Sequence, residues 1–327
     1  MKIRFSFILV LLCISFSAWA QKGFFSKSEA ENNLNDTVKE GKWLEYLDAN
    51  EKATKDTNAP YYRLTEYKHG KPVGIVRAYY RDGHLKHQME YSDGKANGDA
   101  KAYYEDGTLQ QQYKCNDGKI EGELKVFYPD GKLKSEAYYT HGKLNGINKW
   151  YFESGIENME FPYVDSVVNG TVKVFYENGA LQQEGPYTNG KLNGVGKYYL
   201  ASGAVNIEFP FIDGKKNGTA KYYYPGGALK SEEIYVNDTL NGIVKEYTDR
   251  GKVEMEIPYM HGKKNGIEVE YYDNGNPEIE TPYTNDIKNG IVKQYRENGT
   301  LSSETTYESG HIKGFIQNFD EKGNPLK

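Results

Sequence analysis

Residues 170–194 read Gly170-Thr171-Val172-Lys173-Val174-Phe175-Tyr176-Glu177-Asn178-Gly179-Ala180-Leu181-Gln182-Gln183-Glu184-Gly185-Pro186-Tyr187-Thr188-Asn189-Gly190-Lys191-Leu192-Asn193-Gly194. The two terminal glycines belong to a series that recurs every 24 residues, eleven times from Gly74 to Gly314, without insertion or deletion. A second glycine follows nine residues after each, as Gly179 follows Gly170. So strict a period means one supersecondary unit repeated, an array whose units each bury their faces against neighbours. Such arrays present surfaces.

Each unit is counted here from its anchor glycine as position zero. Position five is aromatic throughout: Tyr79, Tyr103, Phe127, Tyr151, Phe175, Tyr199, Tyr223, Tyr247, Tyr271, Tyr295 and Phe319. Position seventeen is aromatic in every complete unit but one, where Cys115 stands. Position eleven is commonly Leu or Val, position fourteen is always Glu or Gln, and position three is usually Lys or Arg. The glycines at position nine are Gly83, Gly107, Gly131, Gly155, Gly179, Gly203, Gly227, Gly251, Gly275 and Gly299, each preceded by turn-forming residues such as Glu177-Asn178.

These signals predict hairpins. A two-residue type I′ turn would need positive φ at position eight, which holds Ser154, Ser202 and Arg250 in some units. A type I turn closed by a left-handed glycine needs positive φ only at position nine, so a three-residue loop over positions seven to nine is expected. That loop sets five opposite eleven. Simple alternation then gathers five, eleven and seventeen on one face, with Glu at fourteen on the other. The longer connection from eighteen to the next anchor is rich in Gly and Asn, but its pairing is not decided by these residues. One hairpin alone is marginal in water, so each must lean on the next. The expected fold is all-β: an elongated single-layer antiparallel β-hairpin repeat array.

The ends are read differently. Lys2 and Arg4 precede an apolar run, and Ala18-Trp19-Ala20 is a small-x-small site, so residues 1–20 read as a signal peptide cleaved between Ala20 and Gln21. Residues 21–40 have no period and read as a flexible leader. The array is expected over 41–327, with an irregular entry unit at 41–73 and regular units from 74. Cleavage leaves Cys115 as the one thiol, so the exported chain would have no internal disulfide. The net charge of −5 disfavours nucleic acid, and no run after the leader is long and apolar enough to cross a membrane.

The pattern Gly-Lys-Leu-Asn-Gly followed by Tyr and Gly, at Gly142–Gly146 with Tyr151 and Gly155 and at Gly190–Gly194 with Tyr199 and Gly203, resembles the MORN repeat in its bacterial variant form. It is similar to the repeats of YwqK-family antitoxins, and the likeness covers residues 41–327. The resemblance implies a MORN-type solenoid used as a scaffold, a protein-binding surface or a membrane-apposing module. The expectation is an exported, non-enzymatic binding surface for a protein or cell-envelope partner, periplasmic, outer-membrane-associated or extracellular, with peripheral membrane contact allowed. The alternative is an antitoxin-like or immunity-like protein that neutralises its partner by binding; a glycan-binding aromatic strip ranks below both.

No constellation of residues calls for catalysis, metal or cofactor. His69, His141 and His261 fall at one repeat position and lie far apart along the array, while His84 and His87 point to opposite faces of a strand. Asp273-Asn274-Gly275-Asn276 lacks the alternating ligands of a calcium loop and sits in register as a hairpin turn. The candidate binding residues are therefore the aromatic row from Tyr79 to Tyr295. Plain packing is its weightier reading, and a binding strip the functional one.

Overall fold

The computed structural model describes residues 24–326 and divides into two compact units, at Gly107 and Thr108. The expected signal peptide and its cleavage site, Ala20 and Gln21, lie outside the described residues. Among the described residues the regular structure of both units is antiparallel β, apart from a short 3-10 turn at Lys27–Glu29.

In the second unit the stretch at 170–194 shows how each repeat is made. Strand Gly170–Phe175 pairs with strand Leu181–Thr188. The loop between them is the three-residue form: Gly179 N–H donates to Tyr176 O at 2.9 Å, and Tyr176 N–H to Ala180 O at 2.9 Å. Gly179 carries φ of +83°, while Asn178 stays at negative φ and uses its side-chain oxygen to accept from Ala180 N–H at 2.9 Å. Phe175 then faces Leu181, so five opposes eleven.

One residue further, alternation fails. Val174 pairs with Gln183, leaving Gln182 as an extra residue, and the same slip recurs in every complete repeat from Gly146 to Gly290. A β-bulge of this kind turns the remainder of the strand over. Position seventeen therefore points away from five, and fourteen points with it. The expectation that five, eleven and seventeen share a face, with Glu fourteen opposite, is corrected. One face (face A) carries three, five, eleven and fourteen. The other (face B) carries two, four, thirteen, fifteen and seventeen.

The second connection is a two-residue turn with positive φ at both central residues, Asn189 (+51°) and Gly190 (+78°), the type I′ form whose twist suits a hairpin. It pairs Tyr187 with Leu192 and Thr188 with Lys191. A second slip follows, and Glu184 and Gln183 pair with Lys197 and Tyr198 of the next repeat. At this slip the anchor glycine is needed. Gly194 has φ of +118°, and a Cβ there would stand 2.8 Å from Pro186 Cγ. Each type I′ turn also hangs on its predecessor: Gly190 N–H donates to Val168 O at 2.8 Å and Gly214 N–H to Leu192 O at 2.8 Å.

The first unit has strands Val38–Leu47, Tyr61–Lys68, Lys71–Tyr80, Leu85–Ser92 and Lys95–Tyr103. Of residues 21–40, read from sequence as a flexible leader, the described part from 24 onward holds the 3-10 turn and a hairpin from Asn33–Asn35 into Val38. Ser26 and Glu29 cap the turn reciprocally. Phe24 is 1 % exposed and packs on Tyr62, Leu64 and Tyr79, with the Tyr62 and Tyr79 rings stacked at 4.9 Å.

Candidate functional site

On face A the bulge brings three repeat positions into one polar network. Tyr199 Oη donates to Glu184 at 2.7 Å, Tyr247 to Glu232 at 2.9 Å and Tyr295 to Glu280 at 2.9 Å, each reaching the preceding repeat. The lysine of position three closes the network from within the repeat, as Lys197 does on Glu208 at 3.1 Å and Lys245 on Glu256 at 2.9 Å. From Tyr151 to Tyr295 the aromatic row thus uses its hydroxyls, where it has them, as inter-repeat ties and leaves its rings half-buried, whereas Tyr79 is buried in the first unit's core. The Lys245 ammonium and the Tyr271 hydroxyl together hold the Glu256 carboxyl below its ordinary range against the effect of burial.

The tyrosines move the other way. Burial and then the neighbouring carboxylate push Tyr199, Tyr247 and Tyr295 up to about 12. A group raised on folding contributes stability that is fully present below its unfolded value, about 10 for tyrosine, and is lost as pH rises through the folded value. The urea midpoint should therefore hold level up to about pH 10 and fall steeply towards pH 12, with tyrosinate absorbance appearing as the protein unfolds. A midpoint that stays flat across that window would rule out the ladder as a stabilising element.

Face B is packing. Phe209 at position fifteen is 8 % exposed and meets Tyr198, Phe211, Tyr222 and Tyr235 edge-on at centroid distances of 5.6–6.4 Å. Edge-to-face rings of this kind are favourable beyond the area they bury. Lys216 lies over Phe209 at 3.8 Å. Positions four and fifteen give no signal in the sequence, because their identity changes from repeat to repeat. The position-six tyrosines also matter more than the sequence suggests: Tyr176 Oη donates to Tyr199 O at 2.8 Å, and Tyr224 Oη to Tyr247 O at 2.9 Å, tying successive repeats through the backbone.

Face A of the second unit has two further features. The first is an apolar stripe beside the type I′ turns, formed by positions one and eighteen with the prolines of sixteen between them. Ile147, Val164, Val195, Ile212, Val236, Ile243, Met260 and Ile267 are 42–54 % exposed there. Within their repeats Ile243 pairs with Pro258 and Ile267 with Pro282, and each proline lies beside the anchor glycine of the next repeat, Pro258 at Gly266 and Pro282 at Gly290. The second is a cavity of about 590 Å³ lined by Lys252, Val253, Glu256, Tyr271, Asp273, Asn274 and Gly275. It lies at the junction of two repeats, between positions eleven and fourteen of one and the ring and turn of the next.

The remaining sequence candidates fall into ordinary roles. His69, His141 and His261 each occupy the first central position of a two-residue turn, with φ of +51° to +53°. Asp273 to Asn276 form a hairpin loop, in which Asn274 accepts from Asn276 N–H at 2.9 Å. Cys115 is buried, and burial raises its thiol. A raised thiol is a poor nucleophile. Among the described residues no group of three or more His, Cys, Asp or Glu side chains is placed to hold a metal ion, and no helix is long and apolar enough to cross a membrane.

The family model described as MORN repeat variant matches this chain at residues 72–93, 96–114, 120–141, 168–189, 216–237, 240–261, 264–285 and 288–309, over half of its length. The unmatched stretches around 146–163 and 194–211 have the same strand register and the same bulge as their matched neighbours. No curated protein matches the chain.

Proposed function

The chain belongs to the MORN repeat variant family, and from that membership we propose that it is an exported, non-enzymatic binding protein that presents face A to a protein of the cell envelope. MORN repeats are generally protein- or membrane-binding repeats. The observation that carries the reading is the apolar stripe. Single exposed aliphatic residues are ordinary on a protein surface, whereas exposed aliphatic residues recurring at the same two positions in several units mark an interaction site. The Tyr, Glu and Lys side chains of positions five, fourteen and three engage each other, so the stripe is where association would release most water from apolar surface.

The test is capture from the envelope fraction by the tagged full-length protein and by its Ile243→Lys/Ile267→Lys variant. Both side chains are already half in water, so the fold should persist, and circular dichroism would verify it. The native protein should retain a protein partner whose recovery drops at least tenfold with the double variant. Equal recovery by both would remove the stripe from the binding surface, and capture of lipid alone would replace the protein partner with a membrane.

A further inference from the structure

The first unit contains a ligand of its own face A. In the entry hairpin Tyr46 pairs with Tyr62 and Leu44 with Leu64. Counted from Gly41, Tyr46 and Leu44 are positions five and three, so Tyr62 and Leu64 occupy the places of eleven and fourteen. Tyr79 is position five of the next repeat. The residues on which Phe24 is buried are thus eleven and fourteen of one repeat and five of the next. In the second unit those same three positions are Val253, Glu256 and Tyr271, and there they line the open cavity of about 590 Å³.

Three residues beyond Phe24, the Lys27 ammonium stands over the Tyr62 ring at 3.8 Å from its centroid. Phe25, between them, stays 45 % exposed and stacks on the Arg77 guanidinium at 3.9 Å. The seated segment therefore has one buried ring, one rim ring and one cation. At the open junction Glu256 stands in the place of the buried Leu64 and is held by Lys245 and Tyr271, Lys252 donates to the Asp273 carbonyl, and the Asp273 carboxylate on the rim is the acidic group left to meet the segment's cation. Three interactions are not reproduced: Arg77 donates to Phe24 O at 3.2 Å and stacks on Phe25, and Lys42 pairs with Glu29 at 2.7 Å, whereas the corresponding positions three and one hold Val269 and Ile243.

Resting on the binding role proposed above, we infer that the junction around Val253, Glu256 and Tyr271 is a socket for an aromatic side chain of an extended partner polypeptide that carries a basic residue three positions later. The ring packs against Val253 and Tyr271 as Phe24 packs against the stacked pair of Tyr62 and Tyr79. The basic group meets the Asp273 carboxylate at the rim. The chain's own segment shows the seating that a partner would adopt; in the first unit that segment fills the place, and in the second the place is an open cavity.

The probe is the fluorescein-labelled peptide of residues 24–31, titrated with the full-length protein by fluorescence anisotropy. Saturable binding is expected. It should weaken at least tenfold when the peptide carries Phe24→Ala, and by less when it carries Phe25→Ala. In the protein, Val253→Glu should weaken binding at least tenfold and Asp273→Lys, in an exposed turn that tolerates it, about fivefold, with folding verified by circular dichroism. No saturable binding, or binding unchanged by both protein variants, overturns the socket. Exchange of the peptide into the first unit would give the latter result. Neither outcome touches the capture experiment on the apolar stripe, which judges the general binding role separately.

Discussion

Removal of residues 170–193, one full period, yields a protein that still folds. The cut joins Asn169 to Gly194, and every pairing it removes has a counterpart ready to replace it. Gly194 takes the place of Gly170 against Pro162, where the glycine has room that a Cβ would not. Lys197 and Tyr198 meet Glu160 and Met159 as Lys173 and Val174 do now. In an array whose stability is a sum of unit and interface terms, the cost is one hairpin and one interface. Removal of only residues 170–181 joins Asn169 to Gln182, and the chain leaves one second strand to enter another. No pairing in the structure accommodates that join, and the product should show no cooperative transition. Far-ultraviolet circular dichroism and urea melts distinguish the two. Should both deletions unfold alike, the repeats share a single cooperative core and the sum-of-units account fails.

Gly194→Ala should destabilise the protein by about 3 kcal/mol, against about 1 kcal/mol for Gly179→Ala. Both glycines hold positive φ, +118° and +83°. At Gly179 that is the whole cost, because the nearest atom to a new Cβ is a methyl of Ile156 at 3.8 Å. At Gly194 the methyl would also meet Pro186 Cγ at 2.8 Å, an approach closer than carbon atoms tolerate. Pro186 is a rigid ring within a paired strand, so relief requires backbone movement. Denaturant melts of the two variants decide it, and equal losses would show that the slip at the anchor relaxes freely.

The two glycine series look alike in sequence, yet they serve different constraints. Position nine is local: a type I turn closed by a left-handed residue is specified by four neighbouring residues. The anchor is not local, because what crowds it is a side chain eight residues earlier that returns through a second hairpin. The same divide runs through the candidate site. The aromatic row at position five was legible, as was its neighbour Leu at eleven, because the loop alone sets their register. The partnership of Tyr199 with Glu184 was not, because simple alternation places these two residues on opposite faces. The open socket was invisible too, since Tyr62 and Leu64 lie in an entry unit whose spacing is irregular.

The sequence by itself determined the period, the all-β hairpin class, the turn at positions seven to nine and the family. All of these rest on φ preferences and on spacing along the chain, which are properties of residues close together. Only the tertiary structure decided which residues share a face, how one repeat hands its register to the next, and where face A is occupied or open. Those depend on the bulge at position twelve and the slip at each anchor. A bulge belongs to a pair of strands and to neither alone, so its place emerges only when the partner strand is set beside it.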